Sequence, residues 1–146
     1  MTHGQKAEML FKKGYNCAQS VLCAYCDELG LDETTAQMIA SGFGGGMGRM
    51  REICGAVSGM FMVAGLKNGY TDKSEATAKK DTYSQIQNLA AAFKKECGSI
   101  VCRELLGLNA GENSGPTPTE RTDEFYRKRP CGELCRLACD ILDGIN

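Results

Sequence analysis

The sequence predicts an all-α fold: a single multi-helix domain over residues 1–146, arranged round an apolar central helix at about residues 51–67. Three observations carry this expectation. Apolar residues recur at helical spacing through most of the chain, and glycines and capping residues punctuate those runs. Few segments alternate with the period of two that a half-buried strand requires. The 146 residues are enough for one sizeable core.

Each element can be justified in turn. Over residues 5–13, Ala7, Leu10 and Phe11 share one stripe, with Gly14 as the C-cap. Asn16 is an N-cap with Gln19 in the capping-box position. The stripe Ala18, Val21, Leu22, Tyr25 and Leu29 then runs to Gly30. Asp32 opens a helix over 33–41, closed by "GFGGGMG" at 42–48. The next helix, 51–67, contains "EICGAVSGMF" (52–61) and is apolar on every face from Ile53 to Leu66, so it should be surrounded. Gly55 and Gly59, one turn apart, each forgo about 1 kcal/mol of helix propensity. That cost is offset if another backbone packs closely there, or if space is left for a bound group. Asp72 caps a long helix to Cys97 that buries Ile86, Leu89, Ala90 and Phe93. Ser99 caps a short helix through Leu106. Residues 107–119 are the one linker-like stretch, and 123–142 are helical with a break at Pro130.

Composition excludes several functions. The net charge of −1 and pI near 5.9 leave no nucleic-acid footprint and no polybasic membrane patch. The longest apolar run, 53–66, is too short to span a bilayer, and the N-terminus carries no secretory pattern. A cytoplasmic location is expected. His3 is the only histidine, set aside as a surface residue at a frayed terminus. Neither a Cys–His pair of the protease kind nor a Ser/His/Asp set is then expected. Glu52 remains a candidate proton acceptor beside Cys54.

Nine cysteines is an odd count and high for a reducing compartment, which argues against a disulfide framework. Four of them fall at helix starts. Cys17 follows its cap at N1, and Cys102 is at N3 after Ser99. Cys131 is at N2 behind Pro130, and Cys54 sits in the first turn of the central helix. Helix N-termini favour the thiolate, so lowered pKa values are expected at all four. Cys97 reads as core. So do Cys135 and Cys139, at i+4 and i+8 from Cys131, although Cys135 could join a site with Cys131. Cys23 and Cys26 form a CxxC in mid-helix, with no second CxxC to complete a zinc ribbon. "GFGGGMG" satisfies neither GxGxxG nor a P-loop. Its Gly44, Gly45 and Gly46 can still approach a ligand or form an anion nest, with Arg49 and Arg51 beside them.

"GYNCAQSVL" (14–22), "SGFGGGMGRM" (41–50), "CGAVSG" (54–59) and "CRELLG" (102–107) together resemble the redox-active family labelled C-GCAxxG-C-C, in the same order and over nearly the whole chain. The resemblance implies functional cysteines at Cys17, Cys54 and Cys102. It places the fourth at Cys131 from the spacing to "ACDIL" (138–142), leaving Cys23, Cys26, Cys97, Cys135 and Cys139 outside the pattern. It also implies a relation to domains of multihaem cytochromes for which an iron–sulfur cluster has been suggested. With no CxxCH, covalent c-type haem is excluded here.

The leading expectation is thiol–disulfide exchange through Cys17, Cys54, Cys102 and Cys131, as a thiol–disulfide oxidoreductase would perform it. In the alternative, the same four thiolates hold an iron–sulfur cluster or a zinc ion for electron transfer or structure. Gly44, Gly45, Gly46, Gly55 and Gly59 would then leave room for the group. A second alternative is a non-catalytic helical binding module whose cysteines are merely buried. A redox partner is expected, nucleic acid and membrane are not, and homo-oligomerisation is compatible with the chain.

Overall fold

The computed structural model describes residues 1–108 and 114–144, and those residues form an all-α domain. Its helices are α1 (His3–Lys12), α2 (Cys17–Cys23), α3 (Cys26–Leu29), α4 (Glu33–Ala40), α5 (Gly55–Asn68), α6 (Ala78–Cys97), α7 (Cys102–Leu105), α8 (Asp123–Lys128) and α9 (Cys131–Leu142). Among the described residues there is no strand, only one isolated antiparallel bridge between Ile53 and Val101. No helix among them is long and apolar enough to cross a membrane.

Caps set the starts. Thr2 and Gln5 form a capping box on α1, and Asn16 and Gln19 form the expected one on α2. Asp32 caps α4 through the amide of Thr35. Helix α2 is the hub, touching α1, α4, α5 and α9. It is apolar enough to be covered on all sides, with Ala18, Val21, Leu22 and Cys23 all buried. Against it lie Ala7, Leu10 and Phe11 of α1, Ala56, Val57, Met60 and Val63 of α5, and Leu134, Cys135, Ala138 and Cys139 of α9. Helix α5 is buried from Gly55 to Met60, as its apolar circumference predicts, and emerges at Gly65.

Several boundaries differ from expectation, each for a tertiary reason. The helix expected to run from Cys17 to Leu29 breaks at Ala24–Tyr25. Tyr25 turns its fully buried ring toward α9, where its hydroxyl meets the Cys139 carbonyl (3.2 Å) and Asp143 Oδ1 (2.8 Å). His3 is part of this contact and not a frayed surface residue. Its ring stacks on Tyr25 at 3.9 Å, and its Nδ1 lies 2.8 Å from Asp143 Oδ2. Asp72 caps nothing; α6 starts at Ala78 behind Thr77, because little of its first half is covered. Ser99 is not the N-cap of α7 either: its Oγ accepts from the Val101 amide, and Val101 takes the cap position. The helix at Gly55 begins later than expected because residues 51–54 pair with 100–103. The linker-like 107–119 lies partly outside the described residues; its 114–119 portion runs beside Arg49 and Arg51.

The two glycines of "CGAVSG" are explained by the crossing of α2 on α5. A Cβ at Gly55 would stand 3.0 Å from Cys17 Cβ and 3.1 Å from the Ala18 nitrogen. At Gly59 it would stand 2.8 Å from Val21 Cβ and 2.9 Å from the Ala18 carbonyl oxygen. Gly65, in the same helix, faces open space. Gly59→Ala is therefore expected to destabilise the domain by about 1–3 kcal/mol through overpacking against backbone. Gly65→Ala should stabilise it by about 0.5–1 kcal/mol through reduced unfolded-state entropy. Urea unfolding midpoints of the two variants against the parent check the pair.

Candidate functional site

Four local arrangements bring cysteines to one place. Cys17 opens α2 directly behind Asn16, as its capping box dictates. Cys54 is the N-cap residue of α5, just before the helix rather than inside its first turn as expected. Cys102 is the first residue of α7, and Cys131 the first of α9, with Pro130 as the cap residue. Residues 51–54 and 100–103 run side by side. The Cys54 amide donates to the Ile100 carbonyl (2.8 Å), the Cys102 amide to the Glu52 carbonyl, and the Arg103 amide to the Arg51 carbonyl (3.2 Å). That pairing makes Cys54 and Cys102 neighbours.

The glycine loop closes over them as a left-handed turn. Gly45, Gly46, Met47, Gly48 and Arg49 all have φ between +59° and +69°, and Arg51 follows at +61°. Three glycines take this conformation freely, whereas Met47, Arg49 and Arg51 each bear about 1–2 kcal/mol of steric cost. Bonds from the Arg49 amide to the Gly44 carbonyl and from the Glu52 amide to the Gly46 carbonyl hold the turn. Gly46 is also needed for space, since a Cβ there would lie 2.6 Å from Cys102 Cβ.

The result is a cavity of about 340 Å³ whose wall includes Cys17, Cys54, Cys102 and Cys131 together. Gly44, Gly45, Gly46 and Gly55 line it as well. Gly59 does not; it serves the helix crossing. Cys135, read from sequence chiefly as core, is fully buried behind the wall and donates toward the Cys17 carbonyl oxygen at 3.7 Å. The signal for it was its position one turn from Cys131 on the inner face of α9. Cys23, Cys26, Cys97 and Cys139 lie outside the lining. The CxxC straddles the break between α2 and α3.

Arginines supply the charge. Arg51 is 4 % exposed; its Nε donates to Ser114 Oγ (2.8 Å) and its Nη1 to Cys102 Sγ (3.6 Å). Arg49 donates to the Gly115 carbonyl and to Thr119 Oγ1, both at 3.0 Å. Arg129, which sequence reading missed, and Arg121 complete the set. Arg121 is committed to structure: it donates to the Phe11 and Tyr15 carbonyls and stacks 4.2 Å from the Phe11 ring centre. No acidic residue is among the described residues lining the cavity. Glu52, the candidate base, is exposed and paired with Arg103 at 2.9 and 3.2 Å, and that hydrogen bond holds it below the usual carboxylate range. It is an ion-pair partner rather than a base.

Cys17, Cys54 and Cys131 do not follow the helix-end expectation of lowered pKa. Burial pushes Cys54 up to about 12; the amides of Val57 and Ala56 oppose this without forming a capping hydrogen bond. Cys131 is pushed up by its hydrogen-bonding contact with Cys17 and by burial, against the pull of Arg129 and Arg121. For Cys17 the contact with Cys131 favours the thiolate, but the contact with Cys135, burial and the neighbouring thiols raise it overall. At Cys54 desolvation outweighs the nearby helix-start amides.

Among the described residues no group of three or more His, Cys, Asp or Glu is arranged to hold a metal ion. The four cysteines as placed do not fit a zinc ion.

A family model described as "Putative redox-active protein (C_GCAxxG_C_C)" matches residues 15–145. No curated protein and no solved structure matches the chain.

The raised thiols have a consequence for stability. Below the ordinary thiol pKa of 9.0, Cys54 is protonated whether folded or unfolded. Between pH 9 and about 12 the unfolded chain loses this proton and the folded chain keeps it. Stability therefore falls as pH rises, by up to about 1.4 kcal/mol per pH unit for such a thiol. Urea midpoints measured at pH 8 and pH 10.5 should show the fall, and Cys54→Ala should make it shallower.

Proposed function

The chain belongs to the C_GCAxxG_C_C family, and from that premise we propose that it acts by thiol–disulfide exchange through Cys17, Cys54, Cys102 and Cys131. The observation that supports this is their convergence: four thiols from four separate helix starts line one cavity. The two neighbouring pairs are Cys17 with Cys131, in thiol–thiol contact, and Cys54 with Cys102, aligned by the backbone pairing.

In the forward direction a thiolate formed at Cys131 attacks one sulfur of a substrate disulfide. The first substrate thiolate leaves and takes up a proton. Cys17 then attacks the Cys131 sulfur of the mixed disulfide and expels the second substrate thiol. The protein gives up two electrons and two protons, and the substrate disulfide gains both. Arg129 and Arg121 offset part of the rise that the Cys17 contact and burial impose on Cys131, so a negative charge formed there has two guanidiniums to meet it. The guanidinium of Arg51 gives Cys102 the partner a thiolate needs. Cys102 with Cys54 can then restore the first pair by the same exchange.

The test is a free-thiol count with metal analysis on protein purified without oxygen. Oxidised glutathione should lower the count by two or four, with full recovery on reduction. Cys131→Ser should block loss at the Cys17 pair, whereas Cys97→Ser should leave the change intact. An unchanged count overturns the proposal. Stoichiometric iron and sulfide that disappear in Cys54→Ser would replace it with the cluster reading.

A further inference from the structure

Three guanidiniums meet at this cavity with no carboxylate among the described residues of its lining. Arg49, Arg51 and Arg129 form no ion pair among the described residues; Arg51 is buried and the other two are half-buried. Arg51 is the sharpest case. It is buried, its two side-chain hydrogen bonds go to a hydroxyl and a sulfur, and Nη2 has no protein acceptor among the described residues. Burial, with the charges of Arg51 and Arg129, pulls Arg49 below the usual guanidinium range, so the three are near enough to repel one another.

Three of the four thiols do not supply the missing charge, and a thiolate at Cys102 beside Arg51 would offset one guanidinium of the three. Cys17, Cys54 and Cys131 are all held protonated at neutral pH by the causes given above. Nor does the rest of the lining, which has no carboxylate among the described residues. In a chain whose formal net charge is −1, this is a local concentration of positive charge at a partly enclosed, water-poor site. Such an arrangement is costly with the cavity empty and becomes favourable when an anion enters. Arginine is the side chain best shaped to hold a carboxylate, sulfonate or phosphate by paired hydrogen bonds.

We propose that the cavity is a binding site for a small oxyanion-bearing molecule, recognised by Arg49, Arg51 and Arg129 and held against the cysteine wall. Its volume of about 340 Å³ is at the low end of the roughly 300–1,000 Å³ of small-molecule pockets. The ligand is therefore a small molecule, not a protein segment. The inference deepens the thiol-exchange reading, because it makes the substrate an anionic disulfide whose charged group faces the arginines. The anion site itself rests on the guanidiniums and stands without that chemistry.

The first arm is calorimetric titration of the reduced protein with sodium sulfate and with disodium succinate, at ionic strength fixed by sodium chloride. Saturable binding of either is expected, with affinity at least tenfold weaker in Arg49→Gln and Arg129→Gln. Lys95→Gln, an exposed site with the same change in charge, should bind like the parent. Circular dichroism of the arginine variants separates lost binding from lost folding. The second arm compares oxidation by dithiodiglycolate, a dianionic disulfide, with that by neutral bis(2-hydroxyethyl) disulfide. The anion should react at least tenfold faster with the parent, and the preference should vanish in Arg129→Gln.

No saturable binding in the first arm, or equal weakening in Lys95→Gln, overturns the anion site. Binding without any change in thiol count leaves the site standing and sinks thiol exchange alone. A thiol count that changes with no anion preference and no binding does the reverse. Inorganic sulfate binding with no preference between the disulfides identifies a free oxyanion as the ligand instead of the head group of a substrate.

Discussion

The separation of α2 from α5 is the constraint on which the cavity depends. At Gly55 and Gly59 the backbones approach so closely that a methyl group would meet the Ala18 backbone or Cys17 Cβ. This approach sets the start of α2 against the start of α5, and so sets Cys17 beside Cys54. The helix propensity forgone at the two glycines is small beside the packing they permit, because α2 is also the helix on which α1, α4 and α9 rest. Widening the crossing would shift the hub, and with it the position of Cys131 on α9.

Around that crossing the backbone adopts conformations with a steric cost. Residues 45–49 form a left-handed turn in which two non-glycine residues participate, and Arg51 follows in the same region. The turn brings the loop onto Cys102 through Gly46, and it brings Arg49 and Arg51 to the cavity from one short stretch of chain. The antiparallel pairing of 51–54 with 100–103 anchors its far end. Strain of this kind persists only where surrounding structure over-determines it, and here it accompanies the convergence of thiols and guanidiniums.

The electrostatics of the cavity oppose each other in an instructive way. Enclosure favours neutral thiols and disfavours unpaired cations, because both effects come from removing water. Cys17, Cys54 and Cys131 respond by keeping their protons, but a guanidinium cannot shed its charge at neutral pH. Charge therefore remains on the arginines while these three cysteines are neutral. A group that enters as an anion, or a thiolate generated there during exchange, meets a wall already polarised to receive it. Cys102 Sγ lies within 3.6 Å of the Arg51 guanidinium.

The sequence by itself determined the helical class, the capping box of Asn16 with Gln19, and the family membership, matched over residues 15–145. These are legible because caps, periodicity and motif spacing are local properties of the chain. The break at Tyr25, the role of His3 and the shift of Cys54 to a cap position were decided by partners far away in sequence: Asp143 for Tyr25 and His3, and residues 100–103 for Cys54. The same holds for the chemistry. A helix start can be read from local residues, and it argues for an acidic thiol. Whether that sulfur is also sealed from water, placed beside another thiol or set against a buried guanidinium depends on how the helices pack. Desolvation and charge–charge interactions act through space, so the tertiary structure alone set the protonation of the thiols and gathered Arg49, Arg51 and Arg129 around them.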